Sequence, residues 1–331
     1  MENETRSHHS YSYKEVINAF AIFHNPFGKD IFCVALELEL RLQWIELPQN
    51  IGEDINLIDV ASMILSDDGA RCHALKFSPD TSLARIPYKV KLAAPHGLMN
   101  LSVFYTDLKS NTTIQHLKGG HTWFINDVAW ACGGDMLASV SDDCCCVVWD
   151  LNAASGDENV GRFRLSSEGT AVMSHPTDSN LVIVAEKKGA IQIFNLRTKE
   201  STRLIQTPTG PLTSIDWHLR GEKVLLLAAL AGGSTYIWDV GNPSRPLNAK
   251  KIHDTDGIDV RFRKNCADIM IASVGKPGKT LYVVRNQSNE ILLTFSMNYY
   301  GGVAWYPNSN YIALAAGKHL HFWKIPQSST K

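Results

Sequence analysis

Residues 120–150 read GHTWFINDVAWACGGDMLASVSDDCCCVVWD. The stretch opens on Gly120-His121 and closes on Trp149-Asp150. Between them lie an INDVAW run, a turn at Gly133-Gly134, an MLASVS run, an Asp-rich turn and the CCCVVWD run. Short apolar and β-branched runs closed by Gly and Asp read as antiparallel strands, not as helix.

Weaker copies lie on both sides. Downstream come AVMSHP with NLVIVAEKKGAIQIFNL, then LTSIDWHLRGEKVLLLAALAGGSTYIWDV, IDVRFRKNCADIMIASVGKPGKTLYVVRN and GGVAWYPNSNYIALAAGKHLHFWKI. Upstream come INAFAIFHNPF with LRLQWIEL, and CHALKFSPD with LMNLSVFYTDL. The slot held by Trp149 is filled in chain order by Trp44, Phe104, Trp149, Phe194, Trp238, Val284 and Trp323, at spacings of 60, 45, 45, 44, 46 and 39 residues. A Gly-His to Trp-Asp unit repeating at about 40–45 residues is the WD40 signature.

The expected fold is all-β: one seven-bladed propeller of four-stranded antiparallel blades. An isolated blade has two apolar faces, and stacking buries both only when the ring closes. Tyr11 to Val16 is expected to close it by pairing into the last blade, which also covers an edge strand. The boundaries expected are a disordered tail at 1–10, the propeller at 11–326 and a short tail at 327–331. The long first interval holds two irregular stretches, Pro48 to Gly69 and Ser78 to Pro87. Units one and six depart furthest from the pattern.

Composition excludes several classes. Lys plus Arg is 32 and Asp plus Glu is 33, a net charge of −1, so no global field favours nucleic acid or anionic lipid. The most continuous apolar run, Val224 to Ala231, is far short of the ~20 residues that cross a bilayer. The first residues lack the basic flank and apolar core of a signal peptide. Seven cysteines with no CxxC pair read as reduced thiols, and Cys144 to Cys146, alternating along a strand, cannot all face one metal.

His121, Ser139, Asp143 and Trp149 are expected to form a hydrogen-bonded chain inside the third blade. His, Ser and Asp together could suggest a hydrolase triad, but no Gly-x-Ser-x-Gly elbow surrounds Ser139. Most of this set is expected to be lost from the other blades. His8 and His9 fall in the expected tail, and His319 and His321 share a strand face as packing histidines. The glycines at 232–233 and 275–278 lack P-loop spacing and read as turns. Lys187-Lys188, Lys250-Lys251 and Arg261 to Lys264 lie at or near expected turns or strand ends and read as solvated turns, with a local patch for an acidic partner as the alternative. No cofactor, metal, small-molecule substrate or enzymatic activity is expected.

Several stretches go beyond the generic repeat: AIFHNPF, FSPDTSLARIPYKVKLAA, GHTWFIND with LASVSDD, SNLVIVAEKKGAIQIFNL, and GGVAWYPNSNYIALAAGKHLHFW. In that order the chain resembles the family of WD-repeat nucleoporins of the nuclear pore's Y-shaped scaffold complex. The resemblance implies a non-enzymatic subunit that docks on the helical part of the large 160-kDa nucleoporin, a monomeric propeller within a hetero-oligomer. It also implies a place in the outer rings of the pore at the nuclear envelope, support for mRNA and protein transport, and recruitment to kinetochores in mitosis. Ser78, Pro79, Asp80, Arg85 and Pro87 are the expected partner-contact insertion, because irregular loops on a rigid ring carry binding residues. The alternative is a ubiquitin-ligase substrate receptor or histone-tail reader. Against it, Phe194-Asn195-Leu196-Arg197 stands where ligase receptors carry a Trp-Asp-x-Arg box.

Overall fold

A computed structural model describes residues 5–26, 28–48, 55–65, 71–109, 111–154, 159–208, 210–221, 224–264, 269–276 and 278–326. The strands form seven four-stranded antiparallel sheets. Six are built from consecutive strands, and the seventh takes its outermost strand from the chain's beginning. Blade three shows the plan, with Ile125–Ala131 innermost, then Met136–Ser141, Cys145–Asp150 and Asn159–Arg164. Among the described residues, no helix is long and apolar enough to cross a membrane.

The hydrophobic core is divided among the interfaces between blades. Seven buried clusters each join two neighbouring sheets, including blade seven to blade one. The apolar run at Val224–Ala231 is a blade-five strand buried on both sides. Leu227, Ala229 and Ala231 pack towards blade four, while Leu226, Ala228 and Leu230 pack towards blade six. The two-residue period of a strand makes an unbroken apolar run the requirement here.

The closing strand is His9–Ser12, two residues earlier than expected. It pairs with His319–Lys324, His9 opposite Phe322 and Ser12 opposite His319. The expected tail at 1–10 is corrected for its second half. The Trp323 indole donates to the Thr5 carbonyl at 3.1 Å, the His8 amide donates to the Phe322 carbonyl at 3.0 Å, and His9 is buried beside Tyr311. Tyr13 to Ile17 instead carry the chain across blade seven to blade one, with the Tyr13 and Ile17 amides on the Lys318 and Gly317 carbonyls. The earlier register puts the small, polar Ser10 and Ser12 on the outside and buries His9 and Tyr13. The C-terminal tail at 327–331 lies outside the described residues.

Of the stretch Pro48 to Gly69, the described residues are Pro48 and 55–65, and Asn56–Ile64 among them form the outer strand of blade one. Blade six likewise has four paired strands, with register shifts at Gly257/Asp259 and Val283/Val284 of the kind other blades also carry. The shortest innermost strand belongs to blade two, where only Lys76–Phe77 pair. Cys144 sits in a turn at φ 58°, and the strand begins at Cys145.

The ring has two ends. One carries the links between blades and the turns joining second to third strands; His121 and Asp143 lie there, and it is called the His121 face. The other carries the turns joining first to second strands, including 78–89, and is called the Arg85 face.

Candidate functional site

The structure brings His121, Ser139, Asp143 and Trp149 together inside blade three. The Trp149 indole N–H donates to Ser139 Oγ at 2.8 Å. Ser139 Oγ lies 2.8 Å from His121 Nε2, and His121 Nδ1 lies 3.0 Å from Asp143 Oδ2. A carboxylate only accepts, so Nδ1 carries the imidazole proton and Nε2 accepts from the serine hydroxyl. Burial pushes the His121 pKa down, against the pull of Asp143, and keeps the ring neutral. Burial opposes ionisation of Asp143, but the Thr122 amide, His121 and Arg162 outweigh it and hold its pKa below the ordinary carboxylate value. Every member has its partner, the condition under which a buried polar chain stabilises a fold. The His121 and Asp143 side chains are 0% and 3% exposed, so this Ser-His-Asp set is enclosed within the blade.

Gly120 is required beside this chain. A Cβ there would stand 2.1 Å from the Trp149 ring.

Other blades also retain polar cores without the sequence flags of blade three, blade two among them, where Ser102 Oγ lies 2.9 Å from both His96 Nε2 and His116 Nδ1. In blade six, His253 Nε2 lies 2.6 Å from Ser273 Oγ, both buried, although Val284 fills the Trp slot. In blade four, the buried Glu186 carboxylate accepts from the Ser166 and Ser167 amides at 2.6 and 2.9 Å. The signal for blade six was a His twenty residues before a mid-strand Ser. It was hidden because Ile252, not glycine, precedes that His.

The insertion at 78–87 divides in two. Ser78 is buried and its hydroxyl donates to Asp80, whose carboxylate also takes the Lys89 ammonium at 2.7 Å. Lys91, its side chain 7% exposed, lies 3.8 Å from Asp80 and 4.9 Å from the Trp130 ring centroid, and donates to the Gly134 carbonyl. Ser78 and Asp80 therefore help join blade two to blade three. Pro79, Arg85, Ile86 and Pro87 are exposed, Ile86 by 64%.

Carboxylates on the inner strands also tie blades together. Asp127 accepts from the Val172 amide of blade four at 3.2 Å, and Asp216 from the Phe262 amide of blade six at 2.7 Å. The central channel opens on the His121 face as a cavity of about 640 Å³ reached by Arg71, His73, Asp259 and Arg261. Within it Arg261 pairs with Asp259 at 2.7 Å and Lys76 lies 3.7 Å from Asp127, and further along the channel Lys264 pairs with Asp216 at 2.7 Å. Among the described residues, no three His, Cys, Asp or Glu side chains converge to hold a metal ion.

Seven closed blades, one with a complete Trp-Ser-His-Asp chain, define a WD40-repeat β-propeller. The family model "WD domain, G-beta repeat" matches residues 111–150. A chain in a solved structure titled "Crystal Structure of Mitotic Checkpoint Complex" shares the fold, with a TM-score of 0.70 over 96% of this chain and 91% of that one at 15% identity. The chain is 39% identical to nucleoporin Nup37 of Drosophila melanogaster over 96% of its own length and 97% of that protein. It is 27% identical to nucleoporin Nup37 of Mus musculus over 82% of each chain. The chain belongs to the Nup37 family of WD-repeat nucleoporins.

Proposed function

We propose that this propeller is a non-enzymatic docking subunit of the nuclear pore's outer-ring scaffold, gripping the helical part of the large 160-kDa nucleoporin. The observation that carries the reading is near full-length similarity to Nup37, spanning the irregular as well as the regular blades. A ring whose interblade cores are sealed presents a preformed surface, so little ordering entropy opposes docking. Its place would be the nuclear envelope, and kinetochores in mitosis through the same complex.

The contact is assigned to the exposed tip Arg85, Ile86 and Pro87, with Pro79 beside it. Ser78 and Asp80 act by holding that tip on the ring. Salt-resistant affinity purification from nuclear extract, followed by cross-linking mass spectrometry, tests the reading. Y-complex subunits with cross-links to the helical part of the largest one are expected. Recovery of a cullin adaptor or nucleosomes without nucleoporins would replace the reading with a receptor or histone-reader role. The double variant Arg85→Glu/Ile86→Asp leaves the Ser78–Asp80–Lys91 contacts in place, and unchanged affinity would remove the tip from the interface.

A further inference from the structure

The His121 face is divided by chemistry. On blades one to three it exposes Leu38 (48%), Ile64 (67%), Leu98 (69%), Met99 (50%) and Trp123 (67%). Adjoining backbone bonds place these side chains at one end of the ring. The Leu65 amide donates to the Leu38 carbonyl, and the Ile125 amide to the Leu98 carbonyl. No other large apolar side chain on this face, among the described residues, is comparably exposed. Singly exposed apolar residues are ordinary, but a set confined to three neighbouring blades marks an interaction surface.

The rest of the same face carries lysines. Lys187 and Lys188 lie on the turn of blade four, Lys276 on that of blade six and Lys318 on that of blade seven, with Lys251 beside them. Lys187 pairs with Glu168 at 3.1 Å. Lys251 and Lys318 donate to the Gly232 and Lys14 carbonyls. Backbone oxygens leave the ammonium charge uncancelled. Asp254, Asp256 and Glu15 are the other carboxylates on these loops, and none forms an ion pair with Lys188, Lys251, Lys276 or Lys318.

The Trp123 loop is set in advance. Ser141 Oγ donates to the Trp123 carbonyl at 3.1 Å, and Phe124 stacks on His73 at 4.4 Å. A large aromatic on a fixed loop is the usual anchor of an interface. Leu38, Leu98, Met99 and Trp123 lie on turns and links, where the Leu38, Leu98 and Trp123 carbonyls are already bonded, so this part of the arc offers no strand edge. A partner must bring a backbone satisfied within itself, which selects a helix over an extended peptide.

We propose that the His121 face binds an amphipathic helix of a second partner, its apolar stripe on Leu38, Leu98, Met99 and Trp123 and its acidic flank towards Lys188, Lys251 and Lys276. This surface lies at the opposite end of the ring from the Arg85 tip and stands independently of it. A propeller used at both ends joins two partners.

The test uses the full chain and a labelled helical peptide of about 18 residues, roughly 27 Å long, with a leucine stripe and glutamate flanks. A twin peptide carries lysines in place of the glutamates, and binding is read by fluorescence anisotropy. The acidic peptide should bind saturably and at least about tenfold more tightly than its twin, since charge complementarity sets partner choice. Trp123→Ser and, separately, Lys188→Glu/Lys276→Glu should each weaken it by about tenfold. All these side chains are exposed, and thermal melts will show the fold retained. Equal binding of the two peptides, no saturable binding, or indifference to Trp123→Ser would overturn the proposal. Self-association of the chain that Trp123→Ser abolishes would also overturn it, by making a second copy the occupant.

Discussion

Blades three and six hold the same buried His–Ser pair in different settings. In blade three the serine also takes an indole N–H and the histidine also meets a carboxylate, so His121 and Ser139 are the middle of a four-residue chain. In blade six Val284 replaces the indole, and His253 packs 5.5 Å from the Tyr282 ring. Both blades still fold into four regular strands. The polar chain is therefore an addition to blade stability, while alternating apolar faces supply the part common to all seven.

The comparison is most exposed to the loss of the indole. Trp149→Ala should cost about 3–5 kcal/mol by cavity and lost packing. Val284→Ala should cost less than half of that, because fewer buried atoms leave. Equal shifts in urea midpoints would mean that the indole does not anchor blade three. Asp143→Ala should cost about 1.5–3 kcal/mol, since it leaves His121, the Thr122 amide and the Cys145 amide without their acceptor. Asp254→Ala, beside the blade-six histidine but exposed, should stay within about 0.5 kcal/mol.

Overpacking sharpens the comparison further. A methyl at Gly120 meets the Trp149 ring at 2.1 Å, and one at Gly275 meets the His253 ring at 2.2 Å. Each alanine should cost about 1–3 kcal/mol. Gly120→Ala should fall less than additively with Trp149→Phe, because both disturb one ring; strict additivity in a double-mutant cycle would place the strain elsewhere.

The smallest effect near neutrality is the histidine titration. Burial lowers the pKa of His121 and takes those of His253 and His321 down to about 4. Below pH 6.5 the unfolded chain takes up protons that the folded chain refuses, so stability falls as pH drops from about 6.5 towards 4. His253→Gln should flatten that slope by up to one proton. A slope unchanged between pH 4.5 and 7.5 would mean that the His253 ring is protonated in the folded state.

The residues at the Trp slot were legible because their spacing survives whatever residue occupies it. All seven stand on third strands of their blades. The blade-six pair was not, because Ile252 and Val284 stand where a glycine and a Trp would flag it. Asn56–Ile64 was obscured by its setting, since a solvent-facing outer strand shows a weaker apolar pattern than a buried one. The closing strand was misplaced by two residues because a four-residue strand with one buried edge carries too little pattern to fix its register. The buried half of the Ser78–Pro87 insertion was invisible for a different reason. Its role lies in contacts with Lys91 and Gly134, which no local pattern encodes.

The closing strand also sets a timetable. Thr5 and Trp323, joined by a hydrogen bond, are 318 positions apart in sequence. A ribosome adding about 5–20 residues each second needs roughly 15–60 s between them. Throughout that interval the first strand exists without the edge it will cover, and blade one without the neighbour that seals Phe20 and Phe32. Six blades can assemble in order as they emerge, but the ring is completed by its oldest segment meeting its youngest. The nascent chain must keep that early strand from other partners until the last blade has emerged.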